Sequence, residues 1–224
     1  MLTDAHIHIL PQIDDGSDSV ETSQKMLEIL NEQGVERIIA TPHFYSHREE
    51  SVQSFLEKRD EAYKKIGSPK NMLLGAEISI EHGISKLDGI EKLAIENTDL
   101  ILLEFPYTHY GEWMEEEIYN IMVDYKLKPV IAHIHRYLSL YKAEQVEKIL
   151  GTKAIFQINN EAFGSFREKR FVKRLIKEGY PLIFGSDSHN LSSRKPNWDL
   201  LQKKVKPEVI EDAVSILEKH IKEV

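Results

Sequence analysis

The sequence predicts an α/β fold built from parallel strands, and three observations predict it. Short apolar runs alternate with amphipathic helical patterns, glycine or proline separates many of these segments, and a polar residue follows most of the apolar runs. Seven such β-α units in 224 residues fit a closed barrel better than an open sheet, although periodicity alone does not decide between them. We expect one domain, residues 1–224, because no flexible linker or internal repeat interrupts the pattern.

Seven apolar runs are predicted as strands, because each is short and is followed by a polar residue or a turn residue. In chain order they are residues 2–9, 35–40, 72–76, 100–103, 129–132, 154–158 and 181–185. Seven segments are predicted as helices, because their apolar residues recur at helical spacing and a glycine follows several of them. In chain order they are residues 19–33, 51–66, 87–95, 113–125, 143–150, 166–177 and 207–222.

Composition excludes several classes of function. The chain has no cysteine, which excludes disulfides, thiolate metal ligands and a cysteine nucleophile. The net charge of -8 argues against a broad nucleic-acid surface. No apolar run approaches the roughly 18 residues that a membrane span needs, and no signal peptide is visible at the start. We therefore expect no membrane insertion and a cytoplasmic location.

The first strand carries two histidines that face the same way. Residues two apart in a strand share a face, so His6 and His8 project together, and the Asp15 carboxylate is close enough along the chain to reach back to them. Two imidazoles side by side are good ligands for a divalent metal. Alternating histidines on the polar face of an edge strand are the alternative.

Similar residues recur at the ends of the later strands. Parallel barrels place their active sites at the carboxyl ends of the strands. The candidate metal ligands there are His6, His8, Asp15, His43, Glu77, Glu104, His133, Asp187 and His189. Any one of them alone is explained by a solvated loop or a helix cap, but the whole set exceeds what one ion can use. A cluster of two or three cations is implied, and the ligand types suit manganese, iron or zinc without choosing among them.

These motifs resemble those of the polymerase and histidinol phosphatase (PHP) superfamily. The resemblance rests on His6-x-His8 with Asp15-Gly16, on Thr41-Pro42-His43, on Glu77, on His133 and on Asp187-Ser188-His189. Within that superfamily, the stretches HIHILPQIDDG, ATPHF, GAEI, AHIHRY and GSDSH are similar to bacterial tyrosine-protein phosphatases of the CpsB/CapC type. The similarity extends from residue 1 to about residue 195 with the motifs in the family's order.

The resemblance implies a distorted (β/α)7 TIM-like barrel, the PHP fold, with a trinuclear metal site. It assigns His6, His8, Glu77 and Asp187 to one metal, Glu77, Glu104 and His133 to a second, and Asp15, His43 and His189 to a third. Mn²⁺ is the implied ion, with Fe or Zn as alternatives. Arg136 and Arg194 match the family's phosphate-binding arginines, for which a surface ion pair is the alternative reading. His135 stands where family members commonly carry glutamate, so its effect on local pKa values and substrate preference is an open question.

The implied activity is metal-dependent hydrolysis of phosphotyrosine monoesters by a metal-activated water, in the control of capsule or exopolysaccharide synthesis. The substrate would be a phosphotyrosine protein, with a bacterial tyrosine kinase as partner, and the sequence leaves a homo-oligomer open. A small-molecule phosphomonoesterase such as histidinol-phosphate phosphatase is the alternative. Hydrolysis of C–N bonds is disfavoured because no lysine stands at a strand end. A binding protein that has lost its catalytic activity is disfavoured because every ligand position is filled. A polymerase-associated nuclease would need more chain and a basic track.

A rim of aromatic side chains around the site is a further expectation. The loops after the second and fourth strands contain Phe44, Tyr45, Phe105, Pro106, Tyr107 and Tyr110. These residues either receive a phosphotyrosine ring or simply pack the loops. A phenol with a pKa of about 10 leaves readily, so a strong general acid is unnecessary. His43 and His135 are the candidates if one is used.

Overall fold

Nine strands form the wall of a barrel in residues 1–222, which are the residues that the computed structural model describes. They are β1 (Thr3–Ile7), β2 (Arg37–Ala40), β3 (His43–Phe44), β4 (Met72–Leu74), β5 (Glu77–Ser79), β6 (Leu100–Glu104), β7 (Lys128–Ile131), β8 (Ile155–Asn159) and β9 (Leu182–Gly185). Every pairing between these strands is parallel. The strands lie in two sheets, ordered β1-β2-β4 and β3-β5-β6-β7-β8-β9.

The two sheets are joined by two interrupted strands. β2 and β3 are separated by Thr41 and Pro42, and proline has no N–H group to donate to a neighbouring strand. The Gly75 N–H donates to the Ala40 carbonyl at 2.8 Å, and the Glu77 N–H donates to the Pro42 carbonyl at 2.9 Å, which continues the ladder across the break. Counted as β1, β2/β3, β4/β5, β6, β7, β8 and β9, the wall has the seven strands that the sequence predicts, in a distorted form.

β9 lies against β1 and closes the barrel. The Asp187 N–H donates to the His6 carbonyl at 2.8 Å, and the His8 N–H donates to the Ser188 carbonyl at 3.0 Å. A methyl group on Gly185 would lie 2.7 Å from the His6 nitrogen, so only glycine lets the two strands approach this closely. The barrel therefore closes directly beside the two histidines of the first strand.

Eight α-helices accompany the strands in residues 1–222. They are α1 (Val20–Glu32), α2 (Val52–Lys65), α3 (Trp113–Tyr125), α4 (Tyr137–Leu140), α5 (Ala143–Leu150), α6 (Phe166–Glu178), α7 (Trp198–Lys204) and α8 (Pro207–Glu218). Serine side chains cap the first turns of α1, α2 and α6, and Gly179 ends α6 with a φ of 75°. None of these helices is long and apolar enough to cross a bilayer.

Two predicted helical segments differ from the structure by more than one residue at an end, and two short helices, α4 and α7, were not predicted. Residues 87–95 contain only a short 3₁₀ turn, Ile90–Leu93, because Gly89 has a φ of 80° and Ala94 is extended. The α7 helix between the last strand and α8 was not predicted. α8 ends at Glu218, four residues before the predicted end at residue 222.

The interior of the barrel is apolar at one end and polar at the other. Residues two apart share a face, so Leu100 and Leu102 lie on the same face as Glu104, and Ile155 lies on the same face as Gln157 and Asn159. All of these side chains are buried. An apolar floor thus supports a polar layer at the carboxyl ends of the strands.

We expect Gly185→Ala to destabilise the protein by about 1–3 kcal/mol, because the added methyl group meets backbone that cannot move aside. Gly164→Ala is the matched control, since nothing lies within 4 Å of its added methyl group. Urea unfolding followed by circular dichroism measures both free energies. Equal stabilities of the two variants would contradict this account of barrel closure.

Candidate metal centre

Imidazoles and carboxylates from most of the barrel strands converge at the polar end. The two histidines of the first strand lie at and just after the end of β1, His43 begins β3, Glu77 begins β5 and Glu104 ends β6. The other candidate ligands follow in the loops: they are Asp15 after β1, His133 after β7, and Asp187 and His189 after β9. The structure brings together all the candidate ligands that were named from the sequence.

The centre of the cluster is formed by His6, His8 and Glu77. The two Nε2 atoms lie 3.1 Å apart. Glu77 Oε2 lies 3.3 Å from the Nε2 atom of His6 and 3.2 Å from that of His8. Asp187 Oδ1 lies 3.7 Å and 3.4 Å from the same two nitrogens. Each of these side chains is almost completely buried.

Glu77 also contacts a second group of ligands. Its Oε1 atom lies 2.8 Å from His133 Nε2, which is 3.3 Å from Glu104 Oε1. Its Oε2 atom lies 3.0 Å from His43 Nδ1, and Glu104 Oε2 lies 4.0 Å from that same nitrogen. One carboxylate therefore stands between two groups of ligands, which is the position that a bridging ligand requires.

Asp15 completes a third group at the solvent side. Its Oδ1 atom lies 3.5 Å from His43 Nε2 and 3.4 Å from His189 Nε2. The Asp15 side chain is 66% exposed, whereas the His189 side chain is 2% exposed. Three sets of side chains could each hold an ion, because the ligand atoms within each set lie within 4.8 Å of one another. The sets are His8, Asp15, His43 and His189; His6, His8 and Asp187; and His43, Glu77 and Glu104.

The chemistry of the donor set fits divalent cations. Two ligand atoms that are each about 2.1 Å from one ion lie roughly 3–3.5 Å apart, which is the spacing of the His6 and His8 nitrogens. The buried His43 Nδ1 and His189 Nε2 atoms lie 3.0 Å and 3.4 Å from carboxylate oxygens, but neither makes a well-aligned hydrogen bond. Buried carboxylates such as Glu77 need a compensating positive charge. Metal ions would satisfy all three conditions.

Without metal, the carboxylates and imidazoles shift one another's pKa values. Burial opposes protonation of His133, but hydrogen bonds to Glu104 and Glu77 raise its pKa to about 9. Burial likewise opposes protonation of His8, yet the Asp14 carboxylate raises its pKa well above the usual value. Burial would raise the pKa of Glu77, but the surrounding histidines hold it well below the usual value. In the metal-free cluster, protons on the histidines supply the positive charge that balances the buried carboxylates.

Arg136 and Arg194 lie beside the cluster, and each binds Asp187. Arg136 Nη1 lies 2.9 Å from Asp187 Oδ2, and Arg194 Nη2 donates to Asp187 Oδ1 at 2.9 Å. Arg136 also donates from Nη2 to Glu161 Oε1 at 2.6 Å. Both arginines line a cavity of about 540 Å³ that opens above the candidate ligands. They are therefore placed to meet an anion that enters the cavity.

Only part of the expected aromatic rim lines this cavity. Tyr45, Pro106 and Tyr107 line it. Phe44 and Phe105 are buried in the core, at 1% and 0% exposure, because each directly follows an inward-facing residue, His43 or Glu104, and so lies on the outward face of the barrel wall. The sixth expected member, the tyrosine at position 110, packs against Tyr141. The two tyrosines of the cavity are the aromatic surface that a ligand would meet.

The structure also contains polar residues that the sequence reasoning did not assign. Asp14 accepts from His8 Nδ1 at 2.7 Å, and Gln157 accepts from His6 Nδ1 at 3.1 Å. Asn159 donates to Asp187 at 2.8 Å. The available signals were an acid directly before Asp15, the single polar residue Gln157 in the strand predicted at 154–158, and Asn159 directly after that strand. His135 is buried, with a pKa lowered well below the usual value by burial and by its charged neighbours, and it does not line the cavity.

Comparisons with known proteins place the chain in one family. A family model described as capsular polysaccharide synthesis, CpsB/CapC, matches residues 2–220. The tyrosine-protein phosphatase YwqE of Bacillus subtilis is 30% identical, over 86% of this chain and 79% of that protein. The tyrosine-protein phosphatase CpsB of Streptococcus pneumoniae is 30% identical, over 91% of this chain and 90% of that protein.

Solved structures agree with the sequence comparisons. A structure from a study of YwqE and CpsB, described as unique metal-dependent tyrosine phosphatases, superposes with a TM-score of 0.71 at 26% identity, covering 97% of this chain and 87% of that one. A phosphotriesterase homology protein from Escherichia coli, at 12% identity and a TM-score of 0.60 over 99% of this chain and 98% of that one, shares the fold. The chain belongs to the CpsB/CapC family.

Proposed function

We propose that this chain is a metal-dependent protein-tyrosine phosphatase that hydrolyses phosphotyrosine monoesters. One observation carries the proposal: a cluster of nitrogen and carboxylate ligands lies beneath a cavity that also holds two arginines. Membership in a family whose relatives are named tyrosine-protein phosphatases supports it. The chain contains no cysteine, which excludes a thiolate nucleophile, and a metal-activated water is the nucleophile that the ligand cluster offers.

Up to three divalent ions would be held by the converging side chains. The proposed ligands are His6, His8, Asp15, His43, Glu77, Glu104, His133, Asp187 and His189. Ions bound there supply an activated water at neutral pH and neutralise charge on the phosphate. Manganese is the ion we propose, because a mixture of imidazole and carboxylate ligands suits it, with iron and zinc as alternatives.

Arg136 and Arg194 would hold the phosphate. Each guanidinium has five N–H donors, and only one or two of them contact protein carboxylates here. The remaining donors can take phosphate oxygens in a two-pronged manner. Because both guanidinium groups also bind Asp187, they are held at the edge of the ligand cluster rather than free to move across the cavity.

The cavity suits an aryl phosphate. Its volume of about 540 Å³ is larger than a phosphotyrosine side chain needs and leaves room for flanking peptide. The Tyr45 ring lies 5.3 Å from that of His43, and the Tyr107 ring lies 6.4 Å from that of His133. The two tyrosines thus flank the cluster on different sides, where they would contact the ring of the substrate.

The biological setting follows from the family. We propose a role in capsule or exopolysaccharide synthesis, with the chain acting as one domain on a phosphotyrosine protein. Three further points stay predictions: a bacterial tyrosine kinase as the partner, the cytoplasm as the location and a homo-oligomeric assembly.

The metal requirement is testable with one histidine substitution. We expect chelation to abolish hydrolysis of a phosphotyrosine peptide and Mn²⁺ to restore it in the wild type. His6→Ala should lower activity by more than about 100-fold and lower the metal content, because it removes a buried ligand. His220→Ala is the control, since His220 lies after α8 and pairs with Asp99. Full activity in the chelated protein would refute the metal requirement.

The raised histidine pKa values predict proton release on metal binding. A pKa of about 9 keeps His133 protonated near neutral pH, and the pKa of His8 is raised as well. Metal ligation needs the neutral imidazole, so Mn²⁺ binding should release protons near pH 7 and fewer protons above the pKa of His133. Calorimetric titration in buffers of different ionisation enthalpy counts these protons. A binding enthalpy that is independent of the buffer near neutral pH would contradict the prediction.

Substrate preference separates the leading proposal from the alternative. We expect kcat/KM to be higher for a phosphotyrosine peptide than for histidinol phosphate, because the open cavity carries two aromatic side chains. The matched control is the same peptide with phosphoserine, whose alkoxide leaves less readily than a phenolate. Faster hydrolysis of histidinol phosphate would favour the small-molecule phosphatase instead.

A further inference from the structure

The strand β8 differs from the rest of the barrel wall because, in the described residues, none of the candidate ligands lies on it or in the loop after it. The last two inward residues of β8 are nevertheless polar. Gln157 and Asn159 are both fully buried, and both lie in the polar layer beneath the cluster. Burying two amide side chains in a barrel is unfavourable unless each makes good hydrogen bonds. Their partners therefore indicate what the strand does.

Gln157 contacts two candidate ligands through one oxygen atom. The Oε1 atom accepts the His133 backbone N–H at 2.7 Å and pairs with His6 Nδ1 at 3.1 Å. A backbone N–H can only donate, which identifies the contacting atom of Gln157 as its carbonyl oxygen. That oxygen can only accept, so His6 Nδ1 must carry a proton. The remaining ring nitrogen, Nε2, is then free to offer its lone pair to the cluster.

The Gln157 amide also reaches a third ligand through its neighbour on the strand. Its Nε2 group donates to Asn159 Oδ1 at 3.0 Å, and Asn159 Nδ2 donates to Asp187 Oδ2 at 2.8 Å. The two amides are thus oriented head to tail. One strand without ligands connects candidate ligands from β1, from the end of β7 and from the end of β9.

His8 is held in the same way from another direction. Asp14 Oδ2 lies 2.7 Å from His8 Nδ1 and accepts the His43 backbone N–H at 2.9 Å. The Asp14 side chain is 5% exposed. As a result, both histidines of the first strand use Nδ1 for a protein partner and direct Nε2 toward Glu77 Oε2.

We propose that Gln157 is a positioning residue of the metal centre, which selects the Nδ1–H tautomer of His6 and anchors the backbone of His133. Asp14 performs the corresponding role for His8. The inference rests on the metal centre of the proposed function and extends it to residues that bind no ion themselves. Partners of this kind orient metal-binding histidines, and their loss typically weakens metal binding by about 10–100-fold.

The test compares two substitutions of the same side chain. Gln157→Met keeps the length but removes the acceptor, so Mn²⁺ affinity should fall by about 10–100-fold. Gln157→Glu keeps an acceptor oxygen for His6 and His133 but loses the donation to Asn159, so its affinity should fall less than that of Gln157→Met. Gln24→Met, at an exposed position of α1, is the matched control. Mn²⁺ affinity is measured without substrate, by the electron paramagnetic resonance signal of the free ion.

Urea unfolding in chelator shows whether each variant is folded before metal is added. Weak Mn²⁺ binding by a folded Gln157→Met, with clearly tighter binding by Gln157→Glu, would support positioning. Wild-type affinity in Gln157→Met, or equal losses in both variants, would overturn it. If the wild type binds Mn²⁺ but hydrolyses no phosphotyrosine, the proposed function fails while the positioning result stands. A wild type that binds no Mn²⁺ would overturn both.

Discussion

The buried Glu77 carboxylate is the constraint on which the rest of the site depends. Its two oxygens lie within 3.3 Å of nitrogens from His6, His8, His43 and His133. These histidines come from three segments of the chain that are far apart in the sequence, and only a closed barrel brings them to one carboxylate. A buried negative charge is costly unless positive charge surrounds it, so protonated imidazoles or metal ions must accompany the folded barrel. Metal ions bound at this carboxylate would therefore stabilise the folded barrel relative to the unfolded chain.

Much of the fold was predictable because buried parallel strands and amphipathic helices leave clear local patterns. The helices at residues 113–125 and 143–150 have the predicted bounds. The errors arise where local geometry departs from regular structure. Pro42 interrupts the barrel wall after β2, so β3 lies beyond the strand predicted at 35–40, and Gly75 ends β4 inside the strand predicted at 72–76. A positive φ at Gly89 limits a predicted helix to one turn. The α7 helix is only seven residues long and its first turn has no side-chain cap, so it leaves little signal.

The candidate ligands were predictable for a different reason. In a parallel barrel, residues at strand ends meet whatever their separation in the sequence, so strand-end histidines and acids could be grouped from position alone. The residues that orient these ligands could not be predicted from their position in the sequence. Gln157 lies 151 positions from His6, inside an otherwise apolar run, and its role depends on a hydrogen bond that only the closed barrel creates. Phe44 and Phe105 were grouped with the cavity although the strand alternation turns both into the core.

The central claim is that distant segments of the chain converge to hold several divalent cations above an apolar barrel floor. Anomalous diffraction at the manganese edge, from crystals grown with Mn²⁺, tests this claim most directly. We expect two or three strong peaks among the candidate ligands around His6, Glu77 and Asp15, and no peak of comparable height elsewhere. Peaks confined to other parts of the surface, with no anomalous density among these side chains, would contradict it.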